Sequence, residues 1–382
     1  MRFSVDAHVI GRHLTGNEVY IRNLLDGFAA LDSASEFVVY VSLPEASALV
    51  PSRFQFRAVA RNPFVRLGYD LTHQLRRDRP ALVHVQYTAP LGCPVPVVVS
   101  VHDVSFIEHP EYFTAARRAQ LLLSVRRTVE RAAAVITPSE FSRRAIASAY
   151  KLDSGRLIVV PNAVSAEFRP LPREAAAGWL RGRFGIPGPY VLTVGDLHPR
   201  KNQLGLISAF EQLLRDCPQL PHRLVLAGQD TWFAPRVRRA AQRSACSRRI
   251  HFTGWVSDQE LRQLYAGCDV FVFPSFYEGF GLPILEAMAC GRAVACSNTS
   301  AMPEVADAAA ILFDPRSTPQ ITRAMKDLLL DVDLRARMER LGQQRATLFT
   351  WRHSAQRTLD VYYEIAGPER ALASQAAKIT AS

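Results

Sequence analysis

Two series of short apolar runs, six in each half of the chain, constrain the fold more than any other feature. The first falls at residues 2–5, 37–42, 82–86, 95–101, 134–137 and 157–160. The second falls at 190–194, 223–227, 250–252, 270–273, 293–296 and 310–313. Most are continuous stretches of Val, Ile and Leu rather than alternating patterns, as strands of a parallel sheet covered on both faces should be. Segments of helical composition lie between them, 204–215 and 258–266 among them. Strand and helix therefore alternate, and each half reads as an α/β, Rossmann-like βαβ domain. A chain of 382 residues with 48% hydrophobic content suits two such domains.

The domain boundary is expected within 162–189, where Pro161, Pro170, Pro172, Pro187 and Pro189 cluster among charged residues and glycines. This gives a first domain over 1–165 and a second over 166–350. From Trp351 the chain has a helical pattern but no strand signal, so a helix over about 351–370 is expected to pack back on the first domain. The small, polar segment 371–382 is expected to fray. Ligands of open α/β sheets bind outside the carboxyl ends of the strands, which places the expected site in a cleft between the two domains.

The formal charge is +11, and such a surface favours nucleotide phosphates, acidic lipid headgroups or nucleic acid. Zinc-finger spacing and an aromatic RNA-binding signature are both absent from the sequence, which argues against nucleic acid. Arg117, Arg118, Arg126, Arg127, Arg131, Arg143 and Arg144 form one local concentration. It reads as a solvated helix face or as a docking surface for an anionic membrane. Six cysteines, at 93, 217, 246, 268, 290 and 296, form no Cys-x-x-Cys pair and read as small core residues in a reducing compartment. The opening MRFSVDAHVIGRH has no apolar signal core, and no run approaches the ~18–20 apolar residues needed to span a bilayer. A cytoplasmic protein, at most peripheral at the inner face of the cell membrane, is expected.

The run at 270–273 leads into FPSFYEGFGLPILEAMACG, which sets Glu278 and Glu286 eight positions apart across a glycine-rich strand-to-helix turn. Gly279 and Gly281 let backbone amides approach a ligand, and a helix from Leu282 would aim its N–H groups and positive dipole end at an anion. Acidic groups beside an anion site call for sugar hydroxyls as partners, so the window points to a nucleotide-sugar. A second strand end, Gly195 to Asn202 (GDLHPRKN), places Arg200 and Lys201 at the start of a helix expected near Asn202. Cations there oppose the helix dipole. A bound diphosphate would remove that conflict, and the pair could neutralise a leaving diphosphate without a metal. Gly228 and Gly254 close two further strand ends, the second followed by Trp255-Val256, which could flank a nucleobase.

In the first half, His102 and Asp103 follow the run at 95–101. The imidazole could donate a hydrogen bond to a sugar hydroxyl, and Asp103 could orient that ring or reach the acceptor. The turn Gly11 to Val19 precedes a helix expected from about Val19. It lacks the Gly-x-Gly-x-x-Gly form, which counts against a dinucleotide-binding dehydrogenase, while Gly16 and Asn17 could approach a phosphate or acceptor. Asp331-Val332-Asp333 has the Asp-x-Asp form of metal-dependent glycosyltransferases. It lies between helical stretches 321–330 and 334–342, where aspartates serve as helix caps, so no metal is assigned to it.

Taken together, these residues resemble glycosyltransferase family 4, retaining enzymes of GT-B fold, over most of the chain and most strongly from Tyr190 to Asp314. The resemblance implies that Arg200 and Lys201 hold the donor diphosphate, Glu286 the ribose hydroxyls, and Glu278 the neighbourhood of the transferred sugar. It also implies that amides of Gly279, Phe280, Gly281 and the adjoining Leu282 hold sugar and phosphate, that Gly195 and Gly228 line the donor site, and that Val256 borders the base. His102 would contact the sugar; with Glu278, Arg200 and Lys201 it completes the expected catalytic set. Gly16, Asn17, His102 and Asp103 are the expected acceptor contacts, although TGNEVY departs from the Gly-x-Gly-Arg-Tyr form. The implied chemistry is front-face transfer with retention, without cofactor or metal.

The closest subgroup in look is the bacterial O-antigen and exopolysaccharide mannosyltransferases. It implies mannose from GDP-mannose passed to a lipid-linked or polysaccharide acceptor in cell-surface glycan biosynthesis. Two alternatives stand beside this reading: a nucleotide-sugar epimerase or hydrolase on the same fold, and a non-catalytic sugar-nucleotide-binding assembly partner.

Overall fold

The structure is a computed structural model that describes residues 1–12 and 15–367. The expected fraying over 371–382 and the last turn of the helix expected to 370 lie outside the described residues. The chain divides into two compact units, one of Met1–Asn162 with the segment returning from Thr350, the other of Ala163–Phe349.

In the first unit, seven strands form one sheet: β1 (Arg2–Asp6), β2 (Glu36–Val41), β3 (Gln55–Ala58), β4 (Leu82–Gln86), β5 (Val97–Ser100), β6 (Ala134–Thr137) and β7 (Leu157–Val159). In the second unit there are six: β8 (Tyr190–Val194), β9 (Arg223–Ala227), β10 (Ile250–Gly254), β11 (Val270–Phe273), β12 (Ala293–Ser297) and β13 (Ala310–Phe313). Every pairing is parallel. All twelve apolar runs are strands, as expected. The addition is β3, a largely exposed edge strand whose sequence QFRA carries no apolar run.

Why the runs are apolar at consecutive positions is visible in β11. Phe271 and Phe273 face a core with Tyr190, Leu192, Ile284, Leu285 and Met288. Val270 and Val272 face an opposite core with Val191, Leu206, Phe210, Leu213 and Met325. Both faces are covered by helices, so successive residues are buried in opposite directions. Each such fully buried side chain contributes roughly 1.5–3 kcal/mol.

The strand orders are β3-β2-β1-β4-β5-β6-β7 and β10-β9-β8-β11-β12-β13. The order reverses between β1 and β4 in one sheet and between β8 and β11 in the other. At a reversal the loops leaving the two neighbouring strands diverge, which opens a crevice at their carboxyl ends. Arg200 and Lys201 follow β8 and Glu278 follows β11, the strands either side of the second reversal, while Gly228, Val256 and His102 follow β9, β10 and β5.

The Trp351–Ala366 helix returns to the first unit as expected and packs on the Thr15–Leu31 helix. The fit is close: a Cβ on Gly27 would lie 2.5 Å from the Ala355 Cβ. Tyr362 Oη is hydrogen-bonded to His84 Nδ1 inside the sheet, and Ser354 Oγ donates to the Pro161 carbonyl at 2.6 Å. Among the described residues, no helix is long and apolar enough to cross a membrane.

Candidate active site

The second unit brings three of the predicted residues into one cluster at the reversal between β8 and β11. Lys201 Nζ donates to Glu278 Oε1 at 2.7 Å, and Arg200 Nη1 donates to Glu278 Oε2 and, at 2.8 Å, to the Tyr277 carbonyl. The Lys201 ammonium also stands 4.8 Å from the centre of the Phe273 ring. Burial pushes the Glu278 carboxyl up, but the charges of Arg200 and Lys201 outweigh it and hold the group at about 2. The Lys201 ammonium is pushed down by burial, against the opposing pull of Glu278. Two cations and one carboxylate leave a net positive site, suited to an anion.

The loop after β8 differs locally from the sequence expectation. Arg200 and Lys201 are not in the first turn of the α-helix; they form a separate 3-10 turn, Pro199–Lys201. Asn202 follows at φ 52, and its side chain accepts from the Gly205 amide at 3.2 Å, capping the Gln203–Asp216 helix. The cap absorbs the helix end, and the two cations project ahead of it. The loop after β11 is bound to this turn, because the Phe276 amide donates to the Arg200 carbonyl at 2.8 Å.

The glycines on these loops serve packing as much as ligand approach. Gly228 stands at φ 155, and a Cβ there would lie 2.2 Å from the Gly195 carbonyl oxygen. A Cβ on Gly195 would meet the aliphatic stem of Lys201 at 3.1 Å. The strand ends therefore close on each other and on Lys201. Gly281, at φ 113, caps the Leu282–Ala289 helix, preceded by buried Gly279 and Phe280. The Phe280 ring turns into the core against Phe349. Val256 and Leu282 are half-buried against the same core face, and Gly254, at φ 72, has open space around it.

Glu286 lies on that helix, 8% exposed, and accepts a hydrogen bond from Tyr265 Oη at 2.8 Å. Burial raises its carboxyl to about 7, the Tyr265 bond and Lys201 pulling the other way. The two glutamates thus differ in charge state at neutral pH: one is firmly ionised, the other poised.

In the first unit, His102 follows β5 and Gln86 ends β4. His102 Nε2 lies 3.2 Å from Gln86 Oε1, and Gln86 Nε2 donates to the Asn17 carbonyl at 3.4 Å, so one amide joins two predicted residues. The imidazole meets Tyr20 edge-on at 4.7 Å and Tyr87 at 5.7 Å. Burial lowers it to about 4, so the ring is neutral at neutral pH. Asp103 does not hold this ring: its Oδ1 accepts from the amide and hydroxyl of Ser105, at 2.9 and 2.6 Å. Gly16 is exposed in the first turn of the Thr15–Leu31 helix, which begins four residues before its expected start at Val19. Asp331 caps the Val332–Ala346 helix by accepting from the Leu334 amide at 2.9 Å. No group of three His, Cys, Asp or Glu that could hold a metal occurs among the described residues.

Residues 14–168 match the family described as Glycosyltransferase Family 4, and residues 183–345 match Glycosyl transferases group 1. The O-antigen chain mannosyltransferase B of Escherichia coli is 33% identical over 266 residues, 69% of this chain and 69% of that protein. The chain belongs to the family 4 glycosyltransferases. The serotype-specific mannosyltransferase WbdA of Escherichia coli is 30% identical over 66% of the chain, which spans about a third (31%) of that longer protein. Among solved structures, Anabaena HepE in complex with UDP-glucose superposes with a TM-score of 0.76 at 19% identity, covering 94% of this chain and 99% of that one. That likeness shows the GT-B architecture of two Rossmann-like domains.

For a family 4 glycosyltransferase, several supporting residues here carry no sequence signal of their own. Ser300, at φ 54, accepts the Glu278 amide at 2.9 Å, and Asn202 Nδ2 donates to the Pro315 carbonyl at 2.8 Å. Tyr265 reaches Glu286 from a different helix. Only Gln86 offered a trace, as a polar residue closing the apolar run of β4. Together, this glycosyltransferase can present a fixed cation pair to phosphate, one ionised and one poised carboxylate to hydroxyls, and, in the first unit, a neutral imidazole.

Proposed function

We propose that the protein is a retaining, metal-independent hexosyltransferase that passes mannose from GDP-mannose to a lipid-linked or polysaccharide acceptor in cell-surface glycan biosynthesis. The observation that carries this reading is the Arg200–Glu278–Lys201 cluster at the β8/β11 reversal. There the donor diphosphate takes the cations, and the amides of Gly279 to Leu282 hold sugar and phosphate. Gly195 and Gly228 shape the floor, Val256 borders the base, and Glu286 accepts from the ribose hydroxyls. Mannose and an O-antigen-like product are supported by the mannosyltransferase relatives, and a nucleotide-sugar donor by the UDP-glucose held in HepE.

In the reaction, the bond from the sugar C1 to the leaving phosphate oxygen breaks while the acceptor hydroxyl forms its bond on the same face. The acceptor proton passes to the departing phosphate oxygen. Arg200 and Lys201 stabilise the charge that develops there, an electrostatic contribution that needs no metal. Glu278 orients the cations and faces the sugar rather than attacking it. His102, neutral, donates to or accepts from a sugar hydroxyl, with Gly16, Asn17 and Asp103 on the acceptor side. The test is a thermal-shift panel of nucleotide-sugars followed by transfer assays with a strong chelator present. GDP-mannose should stabilise and turn over with chelator; a strict Mn²⁺ requirement, or donor altered without any acceptor, would overturn the reading.

A cytoplasmic location at the inner membrane face is supported by one surface of the first unit. Phe64, Tyr69, Leu91 and Leu123 are exposed large hydrophobics there. The Leu91 amide donates to the Leu67 carbonyl at 2.7 Å, Thr88 Oγ1 to Ser124 Oγ, and Arg127 to the Ala89 carbonyl at 2.6 Å, which ties these segments together. Arg117, Arg126 and Arg131 stand exposed on the same Ala115–Arg131 helix as Leu123. Apolar side chains among arginines suit an anionic bilayer. The protein should sediment with phosphatidylglycerol vesicles and not with phosphatidylcholine vesicles.

A further inference from the structure

Among the described residues Glu286, buried, has one hydrogen-bond donor, Tyr265, and that donor is itself fixed. Tyr265 has no exposed surface, and its ring is held edge-on by Phe168 at 6.0 Å and Phe271 at 5.4 Å. Its hydroxyl lies 2.8 Å from Glu286 Oε2 and 3.4 Å from the Pro283 carbonyl, so its single proton serves the shorter contact. The charged and titratable groups facing Glu286 are few. Asp258, on the same helix as Tyr265, opposes ionisation; Lys201, from the turn after β8, favours it; Cys290 lies one turn on along its own helix. Burial is the largest influence and favours the neutral acid.

We propose that Tyr265 is a positioning residue: it holds the Glu286 carboxylate for the ribose diol of a nucleoside diphosphate and keeps that carboxyl ionised under working conditions. The proposal rests on the reading of Glu286 as the ribose ligand and extends it to a residue and a regulation not otherwise assigned. An ionised carboxylate accepts from both hydroxyls of a cis-diol, whereas the neutral acid has lost part of its acceptor capacity. Tyr265 occupies one lone pair of Oε2 and leaves the rest of the group for the diol. Because a phenol proton stabilises the charged form, its loss moves ionisation to higher pH.

The test measures the dissociation constant of GDP from pH 5.5 to 9 in the full chain. The 2′,3′-dideoxy analogue runs in parallel, and UDP with its dideoxy analogue ensures that base preference does not decide the outcome. Wild type should lose diphosphate affinity as pH falls below about 7, up to about tenfold per unit, and the dideoxy analogue should show no such limb. Tyr265→Phe, which keeps the packed ring, should move the limb to higher pH while affinity above it stays within a few-fold of wild type. Glu286→Gln should remove the limb altogether. A Tyr265→Phe limb at the wild-type pH would overturn the positioning role and leave the ribose reading standing. Equal binding of GDP and its dideoxy analogue at every pH would overturn the ribose reading itself.

Discussion

Glu278 is bound by two cations before any ligand arrives, so its removal has separable consequences. Glu278→Ala leaves the half-buried Arg200 and Lys201 beside each other without the carboxylate that accepts from both, a change that costs about 3–5 kcal/mol in comparable buried pairs. Denaturant unfolding should show that loss, and Glu278→Gln, which keeps the shape and one acceptor oxygen, should show less. The two glutamates also impose opposite pH dependences on stability. Glu278 titrates at about 2 when folded against 4.5 ordinarily. The stability its ionised form contributes is complete above pH 4.5 and is lost as pH falls towards 2. Glu286 titrates at about 7 against 4.5. The unfolded chain releases that proton first, so stability falls as pH rises from 4.5 to 7. Urea titrations across pH should show the acid-side loss diminished in Glu278→Gln and the loss between 4.5 and 7 diminished in Glu286→Gln.

Elements reach the site through close contacts that glycine permits. Gly228→Ala would set a methyl 2.2 Å from the Gly195 carbonyl oxygen, at a φ that L residues rarely adopt. It should part the ends of β8 and β9, lower stability and weaken nucleotide binding together, since the Lys201 stem rests on Gly195. Gly27→Val should cost about 1–3 kcal/mol by overpacking against Ala355, with no direct effect on nucleotide affinity, because Gly27 belongs to the other unit. These elements were unequally legible in the sequence. The central strands were readable because two-sided burial demands unbroken apolar runs; the edge strands β10 and β13, half-buried, still carry such runs, and the largely exposed β3 does not. The cation pair and the glutamates were readable as charges on strand-end loops. Their supports were not: Tyr265 and Ser300 act through partners distant in sequence, and the 3-10 turn at Pro199–Lys201 depends on Asn202 adopting a left-handed conformation. Asp103 shows the converse, since adjacency to His102 implied a partnership that the Ser105 turn had already claimed.

At the scale of the whole molecule, Arg200, Lys201, Glu278, Glu286, Tyr265 and the amide-bearing turn all lie within Ala163–Phe349, a unit with its own two-sided core. His102, Gln86 and Asn17 lie in the other unit, which is completed by the helix returning at Trp351. A ligand stabilises whatever it binds by RT ln(1 + [L]/Kd), about 2.7 kcal/mol at one hundred times Kd. Because every proposed diphosphate and ribose contact falls in the second unit, that stabilisation should be local. Hydrogen exchange in saturating GDP should slow at the turns after β8 and β11 and in the β8–β13 core. The β1–β7 core should exchange as it does without nucleotide. Protection of equal size in both cores would mean that contacts from the first unit are needed to hold the diphosphate.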